Sequence, residues 1–141
     1  MKRKASALWT GGLKDGRGTI STESGVLSET QYSFSARFEN GVGTNPEELI
    51  GAAHAGCFSM ALSGQLGAAG MTAERIRTTA TVSLEKQEAG FAITGIHLDV
   101  TAKIPGADAA KFQAAATAAK EKCPVSKALK GPITMEAKLE G

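Results

Sequence analysis

Two cysteines, Cys57 and Cys123, are the residues of this sequence best suited to redox chemistry. They stand 66 positions apart. That separation fits neither the close ligand pairs of a zinc site nor the dense disulfide framework of a small secreted domain. In a reducing compartment they are therefore either buried thiols or a redox pair. A redox pair works by attack of one thiolate on its oxidised partner, which closes a disulfide.

Cys57 lies in the middle of "GTNPEELIGAAHAGCFSMAL", a stretch of small residues that predicts a helix. A buried cysteine in such a helix is most often a small hydrophobic residue. A reactive Cys57 would need a nearby cation, because apolar burial raises the pKa of a thiol and the thiolate is the nucleophile. Arg37, which precedes the helix by a short connection, is a candidate; the alternative is an ordinary solvent-facing strand residue.

The start of this helix carries two overlapping signals. Thr44 stands three residues before Glu47, and Asn45 stands three before Glu48 with Pro46 between them. Glu47 is therefore either a capping residue alone or a carboxylate available to another group.

Cys123 precedes Pro124, and proline is favoured at the first position of a helix. We expect "CPVSKALKG" to open a short helix with Cys123 at its N-cap. There the free N–H groups would stabilise a thiolate, which suits a partner for an oxidised Cys57 if the fold brings the two together.

His54 stands three residues before Cys57, on the same predicted helix face. A Cys–His dyad for acyl chemistry is conceivable, but no oxyanion motif or third partner accompanies it. A packed or hydrogen-bonded histidine is the better interpretation. A metal site that combines these two residues with His97 and Cys123 lacks the spacing of known sites.

The chemistry-bearing residues need strands and helices to position them. Residues Tyr32, Phe34, Ala36 and Phe38 recur at period two, which predicts a strand with Arg37 on its opposite face. Other strands are predicted at "ASALWTGG", "GRGTISTESGVL", "IRTTATVSL", "FAITGIHLDVTAKI" and "ITMEAKLE".

The third and fourth of those segments read as a hairpin across "QEAG", with a bulge or close contact at Gly95. Helices are predicted over about Pro46 to Leu66, in "ADAAKFQAAATAAKEK" and after Cys123. Because alternating strands are covered on one face only, the order predicts an α+β fold with mostly antiparallel sheet. No repeat or linker divides the chain, so we expect one domain over residues 1–141.

The composition excludes several classes of protein. Lys and Arg number 16 against 14 Asp and Glu, hydrophobic residues make up 42%, and no apolar run spans a bilayer. The basic opening is followed by a glycine-rich stretch rather than an apolar segment. We therefore expect a cytoplasmic protein that binds neither nucleic acid nor membrane.

Four stretches, "GTNPEELIGAAHAGCFSMAL", "STESGVL", "AGFAIT" and "CPVSKALK", closely resemble the osmotically inducible protein C family of thiol peroxidases. This family belongs to the larger group that includes the organic hydroperoxide resistance proteins. The likeness runs from about Trp9 to Leu139. It implies mostly antiparallel sheets wrapped around a long central helix, in an intertwined homodimer with active sites at the subunit interface.

The resemblance also implies roles for individual residues. Cys57 matches the peroxidatic cysteine, Cys123 the resolving cysteine, Arg37 the arginine that holds the thiolate, and Glu47 the acid that orients it. In the organic hydroperoxide resistance branch the arginine comes from the early glycine-rich turn, which makes Arg17 the alternative.

The implied reaction reduces organic hydroperoxides, and hydrogen peroxide, to alcohols or water. It passes through a Cys57 sulfenic acid and a Cys57–Cys123 disulfide, which an external dithiol, such as one of lipoyl type, reduces. No metal, flavin or haem is expected. The rival interpretations are a redox sensor or small-ligand-binding domain that keeps the same thiol pair, and a Cys–His acyl hydrolase.

Overall fold

The structure is a computed structural model in which residues 1–140 are described. The chain divides into two compact units, Met1–Leu49 and a second that begins at Ile50. Within the described residues, none of the helices combines the length and apolarity needed to cross a bilayer. The single domain remains a prediction.

The first unit is a small antiparallel sheet followed by a short helix. Its strands β1 (Ala5–Thr10), β2 (Arg17–Thr22) and β3 (Thr30–Tyr32) pair in that order, and helix α1 spans Phe34–Phe38. The ring of Trp9 lies 5.4 Å from that of Tyr32, and the two meet over Gly18 of the strand between them.

The strand predicted around Arg37 is wrong, because these residues form α1. Ser33 caps the helix, its hydroxyl accepting a hydrogen bond from the Ala36 backbone N–H at 3.2 Å. Phe34 and Phe38 stand four residues apart, a spacing that suits both a strand face and one helical turn, and their rings lie 4.9 Å apart. The periodicity was therefore ambiguous, and the capping serine decides it.

The second unit contains a three-stranded sheet and the remaining helices. The long helix α2 (Pro46–Ala68) starts before the boundary between the units and continues into this one. The elements that follow it are β4 (Arg75–Gln87), β5 (Gly90–Lys103), α3 (Ala109–Lys122), α4 (Pro124–Ala128) and β6 (Ile133–Glu140). The α+β class is as predicted, and so is the order of the elements from α2 to β6.

The sheet order is β4-β5-β6, with β4 antiparallel and β6 parallel to β5. The expected mostly antiparallel arrangement is confirmed, and β6 is the strand that pairs in parallel. Parallel neighbours require a crossover connection, and α3 and α4 provide it. The predicted bulge is confirmed, because the register shifts where Ser83 pairs with Gly95 and Leu84 with Ile93.

One hydrophobic cluster holds the second unit together. Alternate residues of β5 point into it, and the inward faces of α2 and α3 complete it. Its largest fully buried side chains are Phe58, Leu62, Leu66, Leu98, Val100 and Phe112. Full burial of one such side chain contributes about 1.5–3 kcal/mol, so this cluster anchors α2 on the sheet.

The glycines of α2 differ in how closely other parts of the structure approach them. At Gly51 an added Cβ would meet the Ala80 carbonyl oxygen at 3.3 Å, which confirms a close approach to the sheet. At Gly56, Gly64 and Gly67 an added Cβ would meet nothing within 4 Å. Close packing within the chain therefore accounts for the first glycine and not for the other three.

Candidate active site

Cys57 and Cys123 meet in the second unit. Both are free thiols, and their Sγ atoms lie 2.7 Å apart. A disulfide bond is about 2.05 Å long, so bond formation needs a further approach of well under 1 Å. The structure thus brings together the two cysteines that the sequence suggested as a redox pair.

A break between two helices places Cys123. Its N–H donates to the Ala119 carbonyl at 2.9 Å and ends α3, while its carbonyl accepts from the Lys127 N–H at 3.1 Å and starts α4. Pro124 occupies the first position of α4, where its missing N–H costs nothing. Cys123 is the N-cap of that helix, as predicted.

Exposure distinguishes the two sulfur-bearing residues. Cys57 is partly exposed, whereas Cys123 is 0% exposed. A small molecule that arrives from solvent therefore meets Cys57 first.

The two thiols also differ in pKa. Burial raises the pKa of Cys57, and so does its hydrogen bond with Cys123. Burial also acts to raise the pKa of Cys123, but hydrogen bonds from the Cys57 thiol, from the Ser126 N–H and hydroxyl and from the Val125 N–H outweigh it and lower the pKa. Of the two thiols, Cys123 therefore loses its proton more readily.

His54 does not form a dyad with Cys57. Its Nε2 lies 2.7 Å from the Ser126 hydroxyl, and the whole side chain is buried. Burial lowers the pKa of His54, which keeps the imidazole neutral. This is the hydrogen-bonded histidine that the sequence favoured.

Ser126 is the site residue that the sequence reasoning missed. It stands three positions after Cys123, in the first turn of α4, and hydroxyl residues near a helix start commonly bond to the N-cap group. That spacing was the available signal.

Arg37 and Glu47 form an ion pair in the first unit. The Glu47 Oε1 accepts from Arg37 Nη2 at 2.8 Å and from Nε at 3.1 Å, and Oε2 accepts from Nε at 3.3 Å. Glu47 is only 7% exposed, and the guanidinium of Arg37 lies 5.1 Å from the centre of the Phe38 ring. The carboxylate therefore holds the guanidinium in one orientation.

Other residues perform the capping of α2. The Glu48 N–H donates to Asn45 Oδ1 at 2.8 Å, and the Thr44 hydroxyl donates to the Glu48 carboxylate at 2.6 Å. The Asn45 amide also donates to the Ala36 carbonyl at 3.2 Å, which ties the helix start to α1. These bonds leave the Glu47 carboxylate to Arg37.

Arg17, the alternative arginine, is the first residue of β2 and pairs in register with Thr10. It thus lies at the end of the early glycine-rich turn.

His97 belongs to a separate cluster. Within residues 1–140, one group of three possible metal ligands has its ligand atoms within 4.8 Å of one another: His97, Asp99 and Glu136. All three lie on the face of the second sheet opposite the core, and Glu136 already pairs with Lys138 at 3.4 Å. This position separates His97 from both cysteines, so it does not support a combined metal site.

Comparison with known proteins gives a consistent result. A sequence profile of the family described as OsmC-like protein matches residues 38–138. Peroxiredoxin OsmC of Escherichia coli is 56% identical over 138 residues, which cover 98% of this chain and 96% of that protein.

The organic hydroperoxide resistance protein OhrB of Bacillus subtilis is 32% identical over 124 residues, 87% of this chain and 89% of that protein. The crystal structure of the Bacillus subtilis OhrB superposes with a TM-score of 0.67 at 29% identity, and the match covers 97% of this chain and 98% of that one.

Proposed function

Because this chain belongs to the OsmC-like protein family, we propose that it is a thiol-dependent peroxidase that reduces organic hydroperoxides to alcohols. One observation carries the proposal: two free thiols lie 2.7 Å apart, and of these two residues Cys57 is partly exposed while Cys123 is buried. Such a pair suits a substrate that oxidises the outer sulfur and a partner that then closes a disulfide.

In the proposed cycle Cys57 is the peroxidatic residue. Its thiolate attacks the distal oxygen of the hydroperoxide, the O–O bond breaks, and the alkoxide leaves as the alcohol after taking up a proton. The product is a sulfenic acid on Cys57. The partial exposure of Cys57 supports this assignment over Cys123, which solvent does not reach.

Cys123 is the proposed resolving residue. Its thiolate attacks the Cys57 sulfenic sulfur, the S–O bond breaks, and hydroxide leaves as water after protonation. An external dithiol, which we propose to be of lipoyl type, then reduces the disulfide to two thiols and becomes a disulfide itself. The lowered pKa of Cys123 supports this role, because it favours the thiolate.

Arg37 is the proposed cation for the Cys57 thiolate. Burial raises the pKa of Cys57, so a peroxidatic role for this residue requires a positive charge that favours the thiolate. Arg37 would also stabilise charge on the breaking O–O bond, and Glu47 would orient the guanidinium through the contacts described above. We prefer Arg37 to Arg17 because the buried carboxylate already fixes its direction.

We further propose that the protein works as a homodimer in the cytoplasm. Helix α2 exposes a face of small residues around Met60, which is 78% exposed, and a Cβ added at its three outward glycines would meet no atom of residues 1–140 outside the helix's own turns within 4 Å. The sheet of the first unit is also poorly covered, since Gly18 is the one buried residue of its three strands, although small sheets normally need a covering layer. A second copy would supply that cover.

The test is mass spectrometry after one equivalent of cumene hydroperoxide, followed by turnover with dihydrolipoamide. We expect a Cys57–Cys123 disulfide in the native protein and catalytic loss of peroxide. Cys57→Ser should abolish peroxide consumption, whereas Cys123→Ser should allow one fast oxidation and then stop at an oxidised Cys57. Equal loss of the first oxidation in both variants would contradict the assignment.

Disulfide formation without turnover would assign the protein to the redox sensors instead. Abolition of activity by His54→Ala together with ester hydrolysis by the native protein would favour the acyl hydrolase.

A further inference from the structure

A buried chain of polar groups leads from α2 to the Cys123 sulfur. His54 is 0% exposed, its Nε2 lies 2.7 Å from the Ser126 hydroxyl, and that hydroxyl in turn bonds to Cys123. The three residues come from α2, from α4 and from the junction between α3 and α4. None of the steps described above uses the histidine.

The surroundings of the imidazole define its proton position. Nδ1 of His54 is buried and has no hydrogen-bond partner in residues 1–140. Among the buried side-chain nitrogen and oxygen atoms of those residues, it is the one in this state. An unpaired buried N–H is rarer and costlier than an unpaired acceptor, so we assign the proton to Nε2. Nε2–H then donates to the Ser126 oxygen.

This assignment sets which group donates and which accepts in each hydrogen bond from His54 to Cys123. With its oxygen accepting from His54, the Ser126 hydroxyl keeps its own proton for the Cys123 sulfur. Each donor polarises the next, which strengthens the bond that reaches the thiolate. The ionisable groups that meet the Cys123 sulfur in the described part of the chain are Cys57 and, through Ser126, His54.

We propose that His54 is a positioning residue that orients the Ser126 hydroxyl toward Cys123 and so stabilises its thiolate during disulfide closure and reduction. This inference rests on the proposed resolving role of Cys123. In closure, Cys123 forms the S–S bond, the Cys57 S–O bond breaks, and the leaving hydroxide becomes water with the proton that the Cys123 thiol released to solvent when it ionised. In reduction, the external thiolate attacks Cys57, and Cys123 leaves as a thiolate that Ser126 stabilises.

The first test titrates Cys123 alone. In a Cys57→Ser background, the ultraviolet absorbance of the thiolate against pH gives the pKa of Cys123 without any peroxide. Ser126→Ala should raise that pKa. Ser59→Ala is the matched control, because it removes a serine of α2 that bonds to Thr78 at 2.8 Å on the sheet side of the helix; it should leave the titration unchanged.

The second test follows closure of the disulfide after rapid oxidation by cumene hydroperoxide, in proteins that keep both cysteines. At neutral pH, Ser126→Ala should slow closure about three- to tenfold, while formation of the sulfenic acid keeps its native rate. Above the raised pKa the closure rate should equal or exceed that of the native protein, because a more basic thiolate is the better nucleophile. If Ser126→Ala slowed closure through a packing defect, the closure rate would stay low at high pH.

Two substitutions of His54 separate donation from packing. His54→Gln keeps an N–H donor near the Nε2 position and should keep the native closure profile, whereas His54→Leu fills the space without a donor and should behave like Ser126→Ala. Equal slowing by both substitutions would overturn the inference, and so would a Ser126→Ala titration that matches Ser59→Ala.

The outcomes are distinct from a failure of the proposed function. If the native protein forms no disulfide, the peroxidase proposal falls, while the titration still decides whether Ser126 stabilises the Cys123 thiolate. If the disulfide forms but Ser126→Ala closes it normally at every pH, the peroxidase proposal stands and the role of His54 falls.

Discussion

Replacement of Glu47 by glutamine tests the orientation of Arg37. In Glu47→Gln the amide oxygen takes the place of one carboxylate oxygen and keeps the bonds that this oxygen accepts from the guanidinium, while the new NH₂ group faces an N–H donor. The contacts now present are 2.8, 3.1 and 3.3 Å long, and the carboxylate is nearly buried. The substitution thus removes the charge and at least one hydrogen bond at almost unchanged volume.

The expected loss of stability is modest. A hydrogen bond to a charged group contributes about 1.5–3 kcal/mol when buried. The Arg37 side chain is 39% exposed, so solvent screening reduces the free energy of the pair. We expect the free energy of unfolding to fall by about 1–2 kcal/mol in urea denaturation.

The expected loss of activity is larger. A misplaced guanidinium should slow oxidation of Cys57 by cumene hydroperoxide about 10- to 100-fold in a single-turnover stopped-flow assay. Glu48→Gln is the matched control, since it changes the neighbouring residue in the same way but leaves the Arg37 contacts intact. Indistinguishable oxidation rates in the two variants would refute an orienting role for Glu47.

Three further predictions concern the arginines, the dimer and His54. Arg37→Ala should slow the first oxidation by about 100-fold or more, whereas Arg17→Ala should change it less than about threefold; the reverse result would move the thiolate partner to the early turn. Met60→Glu should convert the proposed homodimer to monomer in analytical ultracentrifugation, and an unchanged sedimentation coefficient would place the interface elsewhere. Burial lowers the pKa of His54 below its ordinary 6.5, so below that pH the unfolded chain binds the extra proton and stability falls, by up to about 1.4 kcal/mol per pH unit. Urea titrations in this range should show a smaller slope for His54→Gln, and equal slopes would exclude this linkage.

Local signals in the sequence were sufficient for much of the fold. Proline and asparagine at the start of α2 and the Cys–Pro junction before α4 are short-range features, and the structure follows both. The β4–β5 hairpin was also predictable, because its strands are long, alternate on both sides of the bulge and adjoin in sequence.

Two features could not be predicted, for different reasons. The alternation in β6 shows which face is buried but not which direction the strand runs, and the crossover through α3 and α4 sets that direction. The residues around Arg37 satisfied two periodicities at once, so the pattern could not choose between strand and helix.

The site also combines features that the sequence indicated with one that it did not. The sequence indicated the ion pair between Arg37 and Glu47 and the meeting of the two cysteines only through a resemblance, since the partners of each pair are remote from one another in the chain. Ser126 was missed because its importance depends on the approach of His54 from another helix.

The contact between Cys57 and Cys123 also has a consequence for the lifetime of the protein. A bond between residues 66 positions apart would enclose the whole β4–β5 hairpin and α3 in a covalent ring. In the chain-entropy account, a ring of this size disfavours the unfolded state by about 4 kcal/mol. Oxidised molecules would therefore melt at higher temperature and resist proteolysis longer than reduced ones, so peroxide exposure would determine which molecules a protease removes first.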